Sequence, residues 1–286
     1  MENKEEIKYL ELLEEVLNLG EEKTNRTSIK TISRFGGMLR FSLENNSIPI
    51  LTTKKMFYRG AIEEMLFFAR GDSNTKHLEE KGINIWKGNT SREFLDKRGL
   101  YHLPEGDMGK GYGFQWRNFN GTDSTNGVDQ LKNAIETLKT DPSNRRILIS
   151  AWNPSQINEC ALPPCHTHFY FYSNNGYLSC QFYMRSIDMF LGLPFDLIIY
   201  GTLTHIIAKA CNLKPKELVF SGGDMHIYEN HIEAVKTQLN RKPYNFPKMH
   251  ITKSLNSIND IESLEFKDFV IEDYISHNQI KTEMAV

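Results

Sequence analysis

The chain lacks a disulfide framework, a long apolar run and an excess of charge of either sign. Its four cysteines, Cys160, Cys165, Cys180 and Cys211, are too few for a stapled secreted scaffold of this length. Reduced thiols and a cytoplasmic location are therefore expected. The longest apolar stretch, residues 191–207, is broken by Gly192, Pro194, Asp196 and Gly201, so no membrane span is expected. Early residues are charged (Glu2, Lys4, Glu5, Glu6) and offer no apolar signal core. Lys+Arg 34 against Asp+Glu 36 leaves a formal net charge of -2. No general field for nucleic acid or a membrane surface follows, and an anion has to be met by a local cluster of cations.

What is present reads as one domain over residues 1–286, with no internal repeat and no low-complexity linker. Hydrophobic residues at 40% are enough to build a sizeable core. Helical spacing marks residues 7–19 through Ile7, Leu10, Leu13, Val16 and Leu17, with Gly20 as the stop. Residues 61–69 read as a buried helix carrying Glu63 and Glu64, residues 128–138 as an amphipathic helix, and residues 197–210 as an apolar central helix. Strands are expected at 34–43, with Gly36-Gly37 as a bulge or close approach, and at 146–152, 167–172, 177–185 and 218–221. Asn174-Asn175-Gly176 signals a hairpin. Gly222-Gly223 reads as a turn, and residues 227–238 mostly as helix. Residues 82–113 are polar and irregular, and so long a stretch suggests function or an insertion. Without regular βαβ alternation the class is α+β.

Five short segments are candidates for chemistry. In Pro163-Pro164-Cys165-His166 two prolines fix the chain just before a cysteine at a strand start. A thiolate held there, with cations nearby, is a nucleophile for an electrophilic carbon; from this segment alone a buried structural cysteine is the commoner outcome. Cys165, His166 and His168 alternate across a strand and do not converge on a metal. Arg26, Arg145-Arg146 and Arg185-Ser186 supply phosphate-binding types, and Arg185 ends an apolar strand where an unpaired charge is costly. His226 and Tyr228, two apart in an extended segment, share one face and suit a sugar hydroxyl. Asp107 to Gly113 lacks the Gly-Lys-Ser/Thr ending of a phosphate loop.

Together and in order these segments resemble the thymidylate synthase family. The resemblance runs from Asn25-Arg26-Thr27 to Ile280 through Val286. It passes through Leu51-Thr52-Thr53-Lys54, Tyr112-Gly113-Phe114-Gln115-Trp116-Arg117, Ser150-Ala151-Trp152-Asn153-Pro154 and Leu191-Gly192-Leu193-Pro194-Phe195. It implies a homodimer through a mixed sheet packed with helices, a pyrimidine nucleoside monophosphate as substrate, and 5,10-methylenetetrahydrofolate as one-carbon donor without a metal. Residue by residue, it implies Cys165 as nucleophile. Arg26, Arg185 and Ser186 become phosphate ligands, and Arg145 and Arg146 reach in from the other subunit. His226 and Tyr228 hold the sugar, Glu64, Tyr112 and His166 handle protons, and Lys54, Trp86, Asp188 and Val286 lie toward the folate.

Several positions depart from the family pattern. Asp196 stands where thymidylate synthases have Asn, and Met184 precedes Arg185-Ser186 where they have Gln. Lys87, Lys110-Gly111, Tyr170 and Ile199 also differ. The related deoxycytidylate hydroxymethylases share Asp and Met at these two positions. An ionised Asp196 is acceptor-only and suits the amino group of cytosine better than O4 of uracil. The expectation is therefore transfer of a one-carbon unit to C5 of deoxycytidylate, as hydroxymethyl rather than methyl. The runner-up readings are thymidylate synthesis from deoxyuridylate and a nucleotide- or RNA-binding protein without turnover.

Overall fold

In the computed structural model, residues 2–24, 29–122 and 124–282 are described. The helices are α1 (Lys4–Leu19), α2 (Tyr58–Ala69), α3 (Lys76–Glu79), α4 (Arg92–Lys97), α5 (Gly113–Asn118), α6 (Gln130–Thr140), α7 (Gly192–Ala210), α8 (Ile232–Leu239) and α9 (Ile258–Glu262). The strands are β1 (Glu21–Lys23), β2 (Thr31–Ser42), β3 (Leu148–Ser150), β4 (His166–Asn174), β5 (Tyr177–Asp188), β6 (Lys214–Tyr228), β7 (Lys248–Ile251) and β8 (Phe269–Glu272).

Six strands form one sheet in the order β1-β2-β6-β5-β4-β3. All neighbours are antiparallel except β5 and β6, which run parallel around α7. The mixed sheet and α+β class expected from the sequence are present. The β4–β5 hairpin turns at Asn175 (φ 50°) and Gly176 (φ 77°), two successive left-handed residues as a tight antiparallel turn requires. On β4 and β5, Phe169, Phe171, Leu178, Cys180 and Phe182 point into the core. α7 lies against this side and is buried nearly all round, as its mostly apolar sequence demands. Pro194 falls in its first turn, where its missing N–H goes unneeded.

Two readings need correction. Gly222-Gly223 is no turn, because β6 runs through it as one 15-residue strand. A Cβ on Gly222 would stand 2.6 Å from the Phe220 ring, and one on Gly223 2.9 Å from the Tyr183 hydroxyl. The pair serves close packing rather than chain reversal. Helix then begins at Ile232, not at residue 227, because Ile227 and Tyr228 still pair with β2. The irregular stretch 82–113 is present, interrupted by the short α4.

Buried polar groups tie the frame around the site. Glu6 on α1 accepts hydrogen bonds from both the backbone N–H and the hydroxyl of Thr52 and of Thr53, at 2.7–3.0 Å. That fixes the segment leading to Lys54. Arg117 on α5 donates to Ala69 O at the end of α2 and forks onto Asp129 at 2.8–3.1 Å. It also pairs with Glu262 at 2.7 Å. Such a bidentate, half-buried pair locks orientation.

Candidate active site

β4 starts at His166, so Cys165 sits at the corner between the proline pair and the sheet. Its carbonyl accepts from Arg185 N (2.9 Å), and its N–H donates to the Tyr112 hydroxyl (2.9 Å). The Arg185 side chain turns back on the same corner. Nε donates to Pro164 O and Nη2 to Pro163 O, both at 2.9 Å, while the guanidinium lies 5.4 Å from the Trp152 ring. Nη1 makes no protein hydrogen bond among the described residues and is available to an anion. The cation thus holds the Cys165 loop and keeps donor capacity for an anion.

Tyr112 precedes α5 with φ 38° and ψ −107°, a strained backbone for a bulky residue. Packing holds it there. Its ring stacks on Phe68 (5.0 Å, 12°) and approaches His166 (4.4 Å) and Trp86 (5.6 Å). Burial pushes the phenol well above its ordinary pKa, aided by the nearby Cys165. The phenol stays protonated, its oxygen accepts from Cys165, and its own proton is left to donate.

Glu64, on the buried helix α2, accepts from Trp86 Nε1 at 2.6 Å. Desolvation pushes its pKa up to about 7, against the lowering effect of that bond, which poises it to carry a proton either way near neutrality. His166 is neutral, with burial pulling its pKa down to about 3. Its Nδ1 meets the Tyr200 hydroxyl at 2.6 Å, and its Nε2 lies 3.7 Å from Asp196 Oδ1. Asp196 is buried, and desolvation, with the charges of Glu64 and Asp188, raises its pKa well above the carboxylate range. The His166–Asp196 approach is therefore not an ion pair.

The remaining expected residues fall into place unevenly. Ser186 is half-buried on β5 opposite Asp224. His226 and Tyr228 share a face, their rings 5.2 Å apart, and His226 Nδ1 lies 3.4 Å from Asp224. Asp188 Oδ1 accepts from the N–H groups of Phe190 and Leu191 (2.9 and 3.0 Å). Oδ2 has no hydrogen-bond partner among the described residues. A half-buried carboxylate with one oxygen left over can accept from a further N–H donor. Lys54 is tucked in, its ammonium donating to Phe190 O and 3.7 Å over the Phe190 ring. Desolvation brings its pKa down to about 7. Arg145 and Arg146 stand exposed before β3 at the sheet edge, outside the cluster around Cys165. Arg26 and Val286 lie outside the described residues. No group of His, Cys, Asp and Glu among the described residues is arranged to hold a metal, and no helix among them is long and apolar enough to cross a membrane.

Sequence reasoning missed Tyr200, Phe68 and the carbonyls of Pro163 and Pro164. A signal for Tyr200 existed: it follows Asp196 by four residues on a helix, which puts both on one face.

The thymidylate synthase family profile matches residues 7–286. The thymidylate synthase of Ascaris suum is 45% identical, covering 99% of this chain and 98% of its own length. The bifunctional dihydrofolate reductase-thymidylate synthases of Zea mays and Leishmania major are each 47% identical over 99% of this chain. The chain spans about half the length of these last two relatives, 55% and 56%. These names overturn the deoxycytidylate hydroxymethylase expectation drawn from Asp196 and Met184. The physical reason for the error is that an ionised Asp196 was assumed. Buried as it is, the carboxyl keeps its proton and presents one donor and one acceptor, as an amide does. By its match over nearly the whole length, this chain belongs to the thymidylate synthase family.

Proposed function

We propose that the chain is a thymidylate synthase, converting deoxyuridylate to thymidylate with 5,10-methylenetetrahydrofolate. The observation that carries this is the junction of Cys165, Tyr112 and Glu64, a nucleophile's loop held by Arg185 beside two groups that keep and exchange protons.

Cys165 Sγ adds to C6 of the uracil ring, and the electron pair of the C5–C6 bond moves toward C5 and O4. Neutral Asp196 accepts from N3–H and donates to O4, where charge develops. C5 then bonds to the methylene carbon of the folate co-substrate, the carbon–nitrogen bond to the folate breaks once the C5 proton has left, and the hydride that completes the methyl group would come from the released tetrahydrofolate, which becomes dihydrofolate. Glu64 or the Tyr112 hydroxyl takes the C5 proton in this reading, and expulsion of Cys165 from C6 restores the ring. Arg185 Nη1 and Ser186 meet the phosphate, His226 and Tyr228 the sugar hydroxyl, and Asp188 with Trp86 the pterin. Four cysteines without a disulfide among the described residues accord with a reducing compartment, the cytoplasm.

Tritium release from C5-labelled deoxyuridylate, with dihydrofolate formed in equal amount, is the expected result. Asp196→Asn keeps a donor and an acceptor, so its kcat/KM for deoxyuridylate is expected to stay within about tenfold of the parent. No release from deoxyuridylate by the parent protein sinks this reading.

The proposal extends to a homodimer through the sheet. The sheet face away from α7 exposes Phe35 (85%), Met38 (56%), Leu148 (50%) and Tyr172 (51%), with the stacked His168–Tyr183 pair between strands. An apolar face this broad wants cover, and Arg145 and Arg146 stand at its edge, ready to reach a partner's phosphate site. Sedimentation equilibrium is expected to give twice the chain mass, and a monomer at micromolar concentration contradicts the dimer.

A further inference from the structure

We propose that Tyr200 is a positioning residue for base recognition: its hydroxyl, bonded to His166 Nδ1, fixes His166 as the Nε2–H form and so decides which oxygen of Asp196 is left as the bare acceptor. This rests on the deoxyuridylate reading above.

The Tyr200 ring has nowhere to go. It is fully buried, stacked on Phe182 (4.3 Å, 14°) and flanked by Phe169 (5.3 Å) and Trp116 (6.3 Å). Its hydroxyl therefore occupies a fixed point, 2.6 Å from His166 Nδ1. No other hydrogen bond to that hydroxyl exists among the described residues. A buried phenol O–H needs an acceptor. Nδ1 can accept only when the imidazole proton sits on Nε2. The opposite arrangement, Nδ1–H donating to the phenol oxygen, would leave the phenol proton without a partner.

Nε2–H then faces Asp196 Oδ1, 3.7 Å away. That separation is longer than a direct hydrogen bond, yet the positive N–H end this near one oxygen of a neutral carboxyl still favours that oxygen as the carbonyl and leaves the acid proton on the other. Oδ1, with two lone pairs, is left to accept from the base, and Oδ2–H is left to donate. Without the tyrosine proton, His166 can take either tautomer, and Asp196 can present its donor and acceptor in either order. Glu64 and Asp188 act on Asp196 electrostatically, and Tyr112 packs on His166. None of these offers Nδ1 a competing donor. The helix brings the device together cheaply, because Asp196 and Tyr200 are one turn apart on α7 and His166 enters from β4 between them.

Tyr200→Phe tests the inference, because it removes the proton and keeps the ring. Expected results are a fall in kcat/KM for deoxyuridylate of about tenfold to a hundredfold and a narrowed ratio between deoxyuridylate and deoxycytidylate affinities. A merely structural role would weaken both nucleotides alike, and that outcome overturns the proposal. Nitrogen-15 spectra of histidine-labelled protein give an independent reading. His166 is expected as Nε2–H in the parent protein and as a tautomer mixture in Tyr200→Phe. A parent His166 protonated at Nδ1 overturns the proposal even if the variant does not fold. If the parent protein fails to turn over deoxyuridylate, the functional reading falls, while the spectra still decide the role of Tyr200.

Discussion

Cys165→Ala is expected to lower tritium release from C5-labelled deoxyuridylate by on the order of 10⁴-fold or more, with nucleotide affinity changed by less than about tenfold. The asymmetry follows from where the thiol sits. The corner is held by Arg185 and the two proline carbonyls, and by the backbone N–H of Cys165 on Tyr112, none of which involves the sulfur. Removing Sγ leaves these backbone and guanidinium bonds in place and takes away the bond to C6. Without that bond C5 has no carbanion character, and neither Glu64 nor the folate has anything to act on. Calorimetric binding beside the release assay separates the two effects. A variant that keeps more than about 1% of parental release would show that C5 is activated without covalent addition.

Glu64→Gln is the second large effect, and it moves activity and stability in opposite directions. An amide accepts from Trp86 as the carboxyl does but exchanges no proton, so kcat is expected to fall by about 10² to 10⁴. Stability moves the other way. Burial raises the Glu64 pKa from 4.5 to about 7, so the folded protein holds this proton more tightly than the unfolded chain. As pH rises past the unfolded value, the unfolded chain gives up the proton while the folded state retains it. Unfolding free energy falls across that window, by on the order of 3 kcal/mol once pH exceeds about 7. Glu64→Gln escapes this loss. It is expected to melt above the parent protein at pH 8 and close to it at pH 4.5. Equal melting at both values would mean that Glu64 is solvated and that its role as proton carrier has to be abandoned. The same linkage expects kcat in the parent protein to change with an apparent pKa near 7 that vanishes in the variant.

Much of the frame was legible in the chain. Successive turn residues Asn175 and Gly176 specify a tight hairpin whatever surrounds them, and the apolar spacing of α1 ends at Gly20 as read. Residues of the site were legible as types: a cysteine after two prolines, an arginine closing an apolar strand, and His226 with Tyr228 two apart. The misreadings came where local pattern and long-range pairing disagree. Gly222-Gly223 carries the local signature of a turn, yet β6 continues through it because β2 on one side and β5 on the other hold the backbone straight. Phe220, Ile187 and Tyr183 then leave no room for a Cβ.

By itself, then, the sequence determined the long apolar helices, the hairpin, the family pattern and the candidate side chains of the site, since each rests on neighbours within a few residues or on a motif read in order. Only the tertiary structure decided how those side chains are charged. Whether Asp196 carries a proton depends on the water removed by α2, α7 and β4 together and on Glu64 and Asp188 nearby. His166 is neutral because Tyr200, Tyr112 and Phe68 enclose it. Desolvation is a sum over atoms far apart along the chain, so no window of sequence contains it, and the protonation of Asp196 was settled by burial rather than by the residue's name.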